Sequence, residues 1–263
     1  MEMNAWRMLK LRVEDAFTNM AIDEAVLRAR IEEIVPNTIR FYRWRPSAVS
    51  IGRFQDVFQE VHVENCEKHG VDVVRRTSGG GAVYHDCGGE ITYSVTVSEK
   101  DLKSENVVGG YHLICNGLVE AAKTLGVRAD FNLGDPKRCP NITISGRKIS
   151  GSAQSRKRGV LLQHGSFLLD VDLDKMFTFL RVPWAQTLMD VLNIAQKRLT
   201  SIKQELGSTV PADEARQALI TGFQRALNIQ LTEGELTSYE RNLAEKLRRE
   251  KFVTDNWNLK GKV

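Results

Sequence analysis

The sequence predicts an α+β fold, a mainly antiparallel sheet flanked by helices. Three observations carry this. Residues 90–97 alternate, with Ile91, Tyr93, Val95 and Val97 on one face and Glu90, Thr92, Ser94 and Thr96 on the other, as in an antiparallel strand with one buried face. Residues 141–145 and 148–153 flank Ser145-Gly146, a hairpin signal; a two-residue turn there puts Lys148 opposite Thr143. Helical patterns stand between the strands and dominate after Asp172.

The elements follow in order. Residues 6–12 read as a first strand. Thr18-Asn19 then caps a helix to about residue 32, with Ala21, Ala25 and Ala29 as a narrow packing stripe beside Ile22 and Val26. Pro36-Asn37 breaks the chain before strands at 38–44 and 48–51, separated by a turn at Pro46-Ser47. Residues 52–55 form a loop with Arg53 free, and a helix over 60–68 stops at Gly70. Val71-Asp72-Val73-Val74 is a buried strand running into Arg75-Arg76. A glycine triplet, Gly79-Gly80-Gly81, follows, and Ala82-Val83-Tyr84 resumes strand character as far as His85-Asp86.

Residues 111–125 are a helix whose Ile114, Leu118, Ala121 and Leu125 share a face, ended by Gly126. A short strand at 127–131, a loop at 132–140, the hairpin, and a strand at 160–169 broken midway by His164-Gly165 complete the sheet. Beyond it lie a helix at 173–180 and helical segments without a core stripe at 185–206. A Pro-initiated helix at 211–226 turns Leu219, Ile220, Phe223 and Leu227 inward. A charged helix at 235–251 and a docked Trp257 close the chain. No linker, repeat or low-complexity stretch divides residues 1–263, which read as one domain, helical from about 172.

Composition narrows the function. The 263 residues carry a formal charge of +4, a mild bias toward anionic ligands, with no lysine tract or basic arm to indicate nucleic acid. Cys66, Cys87, Cys115 and Cys139 show no CxxC pairing, which argues against a zinc ribbon or a disulfide scaffold. No signal-type segment and no run of eighteen apolar residues occurs, so the expectation is a cytoplasmic enzyme with no membrane partner.

Two stretches carry chemistry. In Arg75-Arg76-Thr77-Ser78-Gly79-Gly80-Gly81, side chains are absent where a backbone can approach an anion or an acyl chain, and the arginines offer planar donor forks. A bare glycine triplet is more often a plain hairpin, and this one has neither the dinucleotide nor the P-loop spacing. In Asn141 to Gln154, Lys148 stands between a turn glycine and Gly151, where it can point into a cleft. A lone hairpin lysine is commonly solvated. His164, beside Gly165, is more often a pocket wall than a catalyst.

Taken together, Arg75-Arg76-x-Ser-Gly-Gly-Gly-Ala-Val-Tyr-His-Asp, Gly-Arg-Lys148-Ile-Ser-Gly-Ser-Ala-Gln and Gln-His164-Gly-Ser resemble the lipoate–protein ligase A family, in the superfamily of biotin protein ligases and octanoyltransferases. Asn19-Met-Ala-Ile-Asp-Glu24 and Arg40-Phe-Tyr-Arg-Trp resemble its N-terminal elements, and the match runs through nearly the whole chain. The resemblance implies a class II biotin/lipoate ligase-like catalytic domain, with a mixed sheet and a bifurcated pocket. ATP with Mg²⁺ would activate lipoate to lipoyl-adenylate. The lipoyl group would then pass to a lysine of a 2-oxoacid dehydrogenase carrier domain or glycine cleavage H protein. By position, Arg76, Gly81, Ala82, Val83, Tyr84, Asn141 and Lys148 match nucleotide contacts. Gly79, Gly80, His85, Lys148, Gly151 and His164 match the lipoate site.

The alternative within the family is octanoyl or lipoyl transfer from acyl carrier protein through a thioester, which needs no ATP. Cys139 is the candidate nucleophile, with Lys148 stabilising its thiolate. Cys139 in Lys-Arg-Cys-Pro-Asn lies closer to Lys148 than in those transferases. The unbroken Gly79-Gly80-Gly81-Ala82 and Tyr84-His85-Asp86 look more like the ligases, so ligation is the first expectation. Without a C-terminal accessory domain, a ligase of this length implies a separate small accessory subunit.

Overall fold

The computed structural model describes residues 4–104, 106–134, 140–182, 185 and 187–262. Strand β1 (Asn4–Glu14) leads into helix α1 (Ala16–Ile31), then β2 (Thr38–Trp44) and β3 (Ala48–Ile51). Two short helices, α2 (Val57–Glu60) and α3 (Val63–Lys68), precede β4 (Asp72–Arg75), β5 (Val83–His85) and β6 (Glu90–Ser98). Helices α4 (Glu99–Leu102) and α5 (Val107–Thr124) lead to β7 (Asp130–Asn132), β8 (Asn141–Ile144), β9 (Arg147–Lys157) and β10 (Val160–Leu168). Then come α6 (Leu173–Phe179), α7 (Leu188–Arg198), α8 (Ile202–Leu206), α9 (Ala212–Leu227) and β11 (Ile229–Gly234). Helix α10 (Ser238–Leu247), a π-helical turn (Arg248–Phe252) and α11 (Asp255–Asn258) end the fold.

The eight-stranded sheet runs β11-β1-β2-β6-β10-β9-β8-β7, and a three-stranded sheet runs β4-β3-β5. In the large sheet β1 is parallel to β11 and β2, and the remaining pairs are antiparallel. The mixed, mainly antiparallel sheet with flanking helices is therefore present. The hairpin register is as the spacing predicts: Thr143 faces Lys148, with a bulge after Ile142, and Ser145 and Gly146 make the turn at φ 49° and 78°.

One face of the large sheet packs on α5 and α9. Phe223 of α9 is fully buried against Phe41 and Tyr93, with ring centroids 5.8 and 5.5 Å away. Its burial contributes about 1.5–3 kcal/mol from apolar transfer. The opposite face corrects the expectation of a single buried face on β6, because Glu90, Thr92, Ser94 and Thr96 are buried too. Helix α1 lies over that face and brings polar partners with it: Asp23 accepts from Ser94 at 2.9 Å.

Several local expectations also change. Asp15, not Thr18-Asn19, caps α1, accepting from the Thr18 amide at 2.6 Å. Asn19 instead turns inward and donates to the carbonyls of Glu14 and Arg43. The helix over 60–68 is split, because Val61 pairs with Leu180 and the His62 amide bonds to the Phe179 carbonyl. Strand β10 is not broken at His164-Gly165; Gln163, His164 and Gly165 continue the ladder with Gln154, Ala153 and Ser152. Strand β11 was not anticipated. Its signal is the short alternation Ile229, Leu231, and it forms only by parallel pairing with β1.

Candidate functional site

The two sheets face each other across a cleft of about 450 Å³. Its floor crosses the large sheet, from Tyr42 and Trp44 on β2 through Thr92, His164 and Ser166 to Gly151 and Lys148 on β9 and Asn141 on β8. Ser50, Arg76, Gly80, Gly81, Ala82, Val83 and His85 form the opposite wall, and Met20 and Pro140 also contribute. Lys148 and the glycine loop, far apart in sequence, therefore share one cavity. The charged side chains in its lining are Arg76 and Lys148, both basic.

Two expected residues stand outside that lining. Gly79 contributes a carbonyl to Arg76. Tyr84 turns away because β5 alternates its faces; it stacks on Phe179 at 5.2 Å and donates to Asp86. Cys139 lies outside the described residues; Pro140, the next residue, lines the cleft.

Lys148 is held at both ends. Its carbonyl accepts from the Thr200 amide at 3.0 Å, tying β9 to the turn after α7. Its ammonium lies over Gly151, where a Cβ would stand 2.8 Å from Nζ. Glycine at 151 is what lets the side chain fold back over its own strand.

The arginine pair differs from the expectation of two forks offered to a ligand. Arg76 Nη1 donates to the Ser50 carbonyl and hydroxyl, and Nη2 to the carbonyls of Gly79 and Gly81 at 2.9 Å. Its guanidinium braces the glycine loop from within. Arg75 is 2 % exposed and donates to backbone carbonyls in residues 52–55 and 257–259. Arg53, expected to be free, donates to the Gly261 carbonyl and stacks over Trp257.

Two buried serine–histidine–carboxylate chains flank the loop. His164 Nε2 meets Ser78 Oγ at 2.6 Å, and Nδ1 meets Asp23 Oδ2 at 2.9 Å. Asp23 also accepts from Arg40 and Tyr42. Burial would raise the Asp23 pKa, but the bonds from His164, Arg40 and Ser94 outweigh it and hold it low. Burial lowers the His164 pKa despite Asp23, with Arg76 adding to the effect. A carboxylate only accepts, so Nδ1 carries the proton and Nε2 accepts from Ser78. In the second chain, His85 bridges Ser50 and Glu90 at 2.7 Å each and stacks on Trp44.

Asp23, Ser50, Ser78, Glu90 and Trp44 were missed as site residues. The available signal was the polar residues Asn19, Asp23 and Glu24 set among the apolar residues Met20, Ala21, Ile22, Ala25 and Val26 of α1. Cys66 and Cys115 are buried, and burial pushes their thiols up to about 12 and about 11.

Residues 15–224 match the lipoyl protein ligase A/B catalytic domain. The chain belongs to that family. Among lipoyl protein ligase A/B relatives, the octanoyltransferase LipM of Brevibacillus brevis is 36 % identical over 277 residues, covering 98 % of this chain and 100 % of the relative. The bi-partite lipoate protein ligase of Thermoplasma acidophilum aligns with a TM-score of 0.83 at 30 % identity, over 98 % of this chain and 97 % of that one. A lipoate-protein ligase A crystallised with ATP aligns with a TM-score of 0.84 at 30 % identity, over 97 % and 98 % of the chains. Among the described residues, no helix is long and apolar enough to cross a membrane.

Proposed function

We propose that this protein is an octanoyl or lipoyl transferase that moves the acyl group from acyl carrier protein to a lysine of a lipoyl carrier domain or glycine cleavage H protein. This reverses the order of the two readings taken from the motifs. The full-length likeness to an octanoyltransferase supports it. The observation that carries it is the cleft itself, where Lys148 and Pro140, the covalent neighbour of Cys139, line one cavity. Arg76 braces the glycine loop through its carbonyls, and Lys148, in the same cleft lining as Pro140, is the cation assigned to the thiolate. The described elements from β11 to β7 share one sheet, which supports a single catalytic domain.

In this reading the Cys139 thiolate attacks the thioester carbonyl, the carrier thiol leaves and takes a proton, and an acyl-Cys139 forms. The carrier lysine, as a free amine, then attacks the same carbonyl and loses a proton, and Cys139 departs as thiolate. Lys148 lowers the cost of that thiolate in both steps. Backbone N–H groups of the glycine loop are assigned to the oxyanion that develops each time. Cys66 and Cys115, held as buried thiols, are poor competitors for the role.

A second reading, ATP-dependent lipoate ligation, is favoured by the likeness to the ATP-bound ligase and to the bi-partite ligase. Lys148 would then bridge the lipoate carboxylate and the nucleotide, and Gly81 to Val83 with Asn141 would seat the nucleotide. A separate accessory subunit would fit that reading. Bound MgATP would supply the adenylyl group that activates the carboxylate, with pyrophosphate as the leaving group.

A paired assay separates the two. An apo lipoyl domain is given octanoyl carrier protein alone, or lipoate with MgATP, and the product is weighed. Transfer without ATP, with an acyl adduct on the enzyme that Cys139→Ser abolishes, is expected. Transfer that requires ATP and survives Cys139→Ser would install the second reading.

A further inference from the structure

We propose that residues 248–261 form a strap that positions the glycine loop, acting through Arg75. Arg75 is the load point. Its Nε donates to the Trp257 carbonyl at 2.9 Å and Nη2 to the Asn258 carbonyl at 3.0 Å. Its Nη1 donates to the carbonyls of Gly52, Arg53 and Gln55, the last at 2.6 Å. The strap answers in kind. Trp257 Nε1 donates to the Arg75 carbonyl at 2.8 Å, and the Arg75 amide donates to Asn258 Oδ1 at 3.0 Å.

These acceptors are all neutral. A buried guanidinium met by carbonyl dipoles from two separate segments stays satisfied only while both segments stay in place. The strap is itself pinned. Arg53 at 4.5 Å and Lys251 at 3.8 Å both stand over the Trp257 ring, and Lys251 reaches Glu24 of α1 at 2.7 Å.

The loop at 52–55 passes this constraint to the cleft. The Arg53 amide donates to the Ser78 carbonyl at 2.8 Å, and the Arg76 amide to the Ile51 carbonyl at 2.9 Å. Gly52 packs directly on the glycine loop: a Cβ there would fall 2.1 Å from the Gly80 carbonyl oxygen. Trp257 is thus joined to Gly80 through Arg75 and Gly52. The strap lies beyond residue 224, where the family match ends, yet it holds the loop that faces Lys148 inside that match. Arg75, Trp257 and Asn258 are positioning residues for the acyl-transfer site.

The test uses the full chain. Trp257→Phe keeps an aromatic ring under Arg53 and Lys251 and removes the N–H bond to the Arg75 carbonyl. Hydrogen exchange is followed by mass spectrometry on the segment 77–83, with β6 and β10 segments as controls. Loss of about one buried hydrogen bond predicts roughly tenfold faster exchange at 77–83 with the controls unchanged. Arg75→Lys, which keeps the charge without the fork, should do the same more strongly. In the transfer assay, which rests on the function proposed above, Trp257→Phe should raise the KM for the acyl donor and leave the KM for the acceptor lipoyl domain unchanged. Unchanged exchange at 77–83, or a loss confined to kcat, overturns the strap. A wild-type chain that transfers no acyl group sinks the proposed function instead, and the exchange comparison still decides the strap.

Discussion

His164 and Lys148 share a cleft at different depths: His164 is 4 % exposed and bonded through both ring nitrogens, and Lys148 is half-buried with its ammonium over Gly151. His164 carries a pH prediction. Its pKa in the fold lies below the ordinary 6.5, so between the two values the unfolded chain binds a proton that the folded chain does not. The stability this neutral histidine secures is complete above 6.5 and declines as pH falls below it. Urea midpoints should therefore drop more steeply from about pH 7 to about pH 5 in the wild type than in His164→Gln. Equal slopes would show that the imidazole takes up its proton without disturbing Ser78 or Asp23. Lys148 and the glycine triplet were legible in sequence because each sits in a local motif. Asp23 and Ser78 were not, because His164 lies 141 and 86 residues away from them and only the fold makes the three neighbours.

Among elements, the glycine loop has the least support of its own. Residues 77–82 belong to no strand or helix, and their shape comes from Arg76 inside and the 52–55 loop behind. Gly52→Ala should therefore disturb the cleft without touching it. With a Cβ 2.1 Å from the Gly80 oxygen, one backbone must yield, at a cost of about 1–3 kcal/mol. Urea unfolding should register that loss, and the acyl-donor KM should rise; wild-type values of both would show that the two loops are not coupled. The hairpin of β8 and β9 was readable down to its register, since turn chemistry and side-chain period are local. The covering of β6 was not. Alternation in sequence reports which residues share a face, and the polar face was buried by partners on α1, β2 and β5.

For the whole molecule, the fold class was legible because antiparallel neighbours and amphipathic helices leave periodic traces. Its parallel edge was not. Strand β11 returns from residue 229 to pair with β1 near the N-terminus, a contact no local pattern announces. The same long-range closure brings Trp257 beneath Arg75. Ligation and transfer both need the juxtaposition this closure protects, a lysine from the mid-chain hairpin facing a glycine loop from the small sheet. Acyl transfer to an apo lipoyl domain by Lys148→Ala, weighed by mass with octanoyl carrier protein and separately with lipoate and MgATP, tests it most directly. No acylated product is expected with either donor from a variant that still unfolds cooperatively near the wild-type midpoint. Near wild-type product from either donor would contradict it.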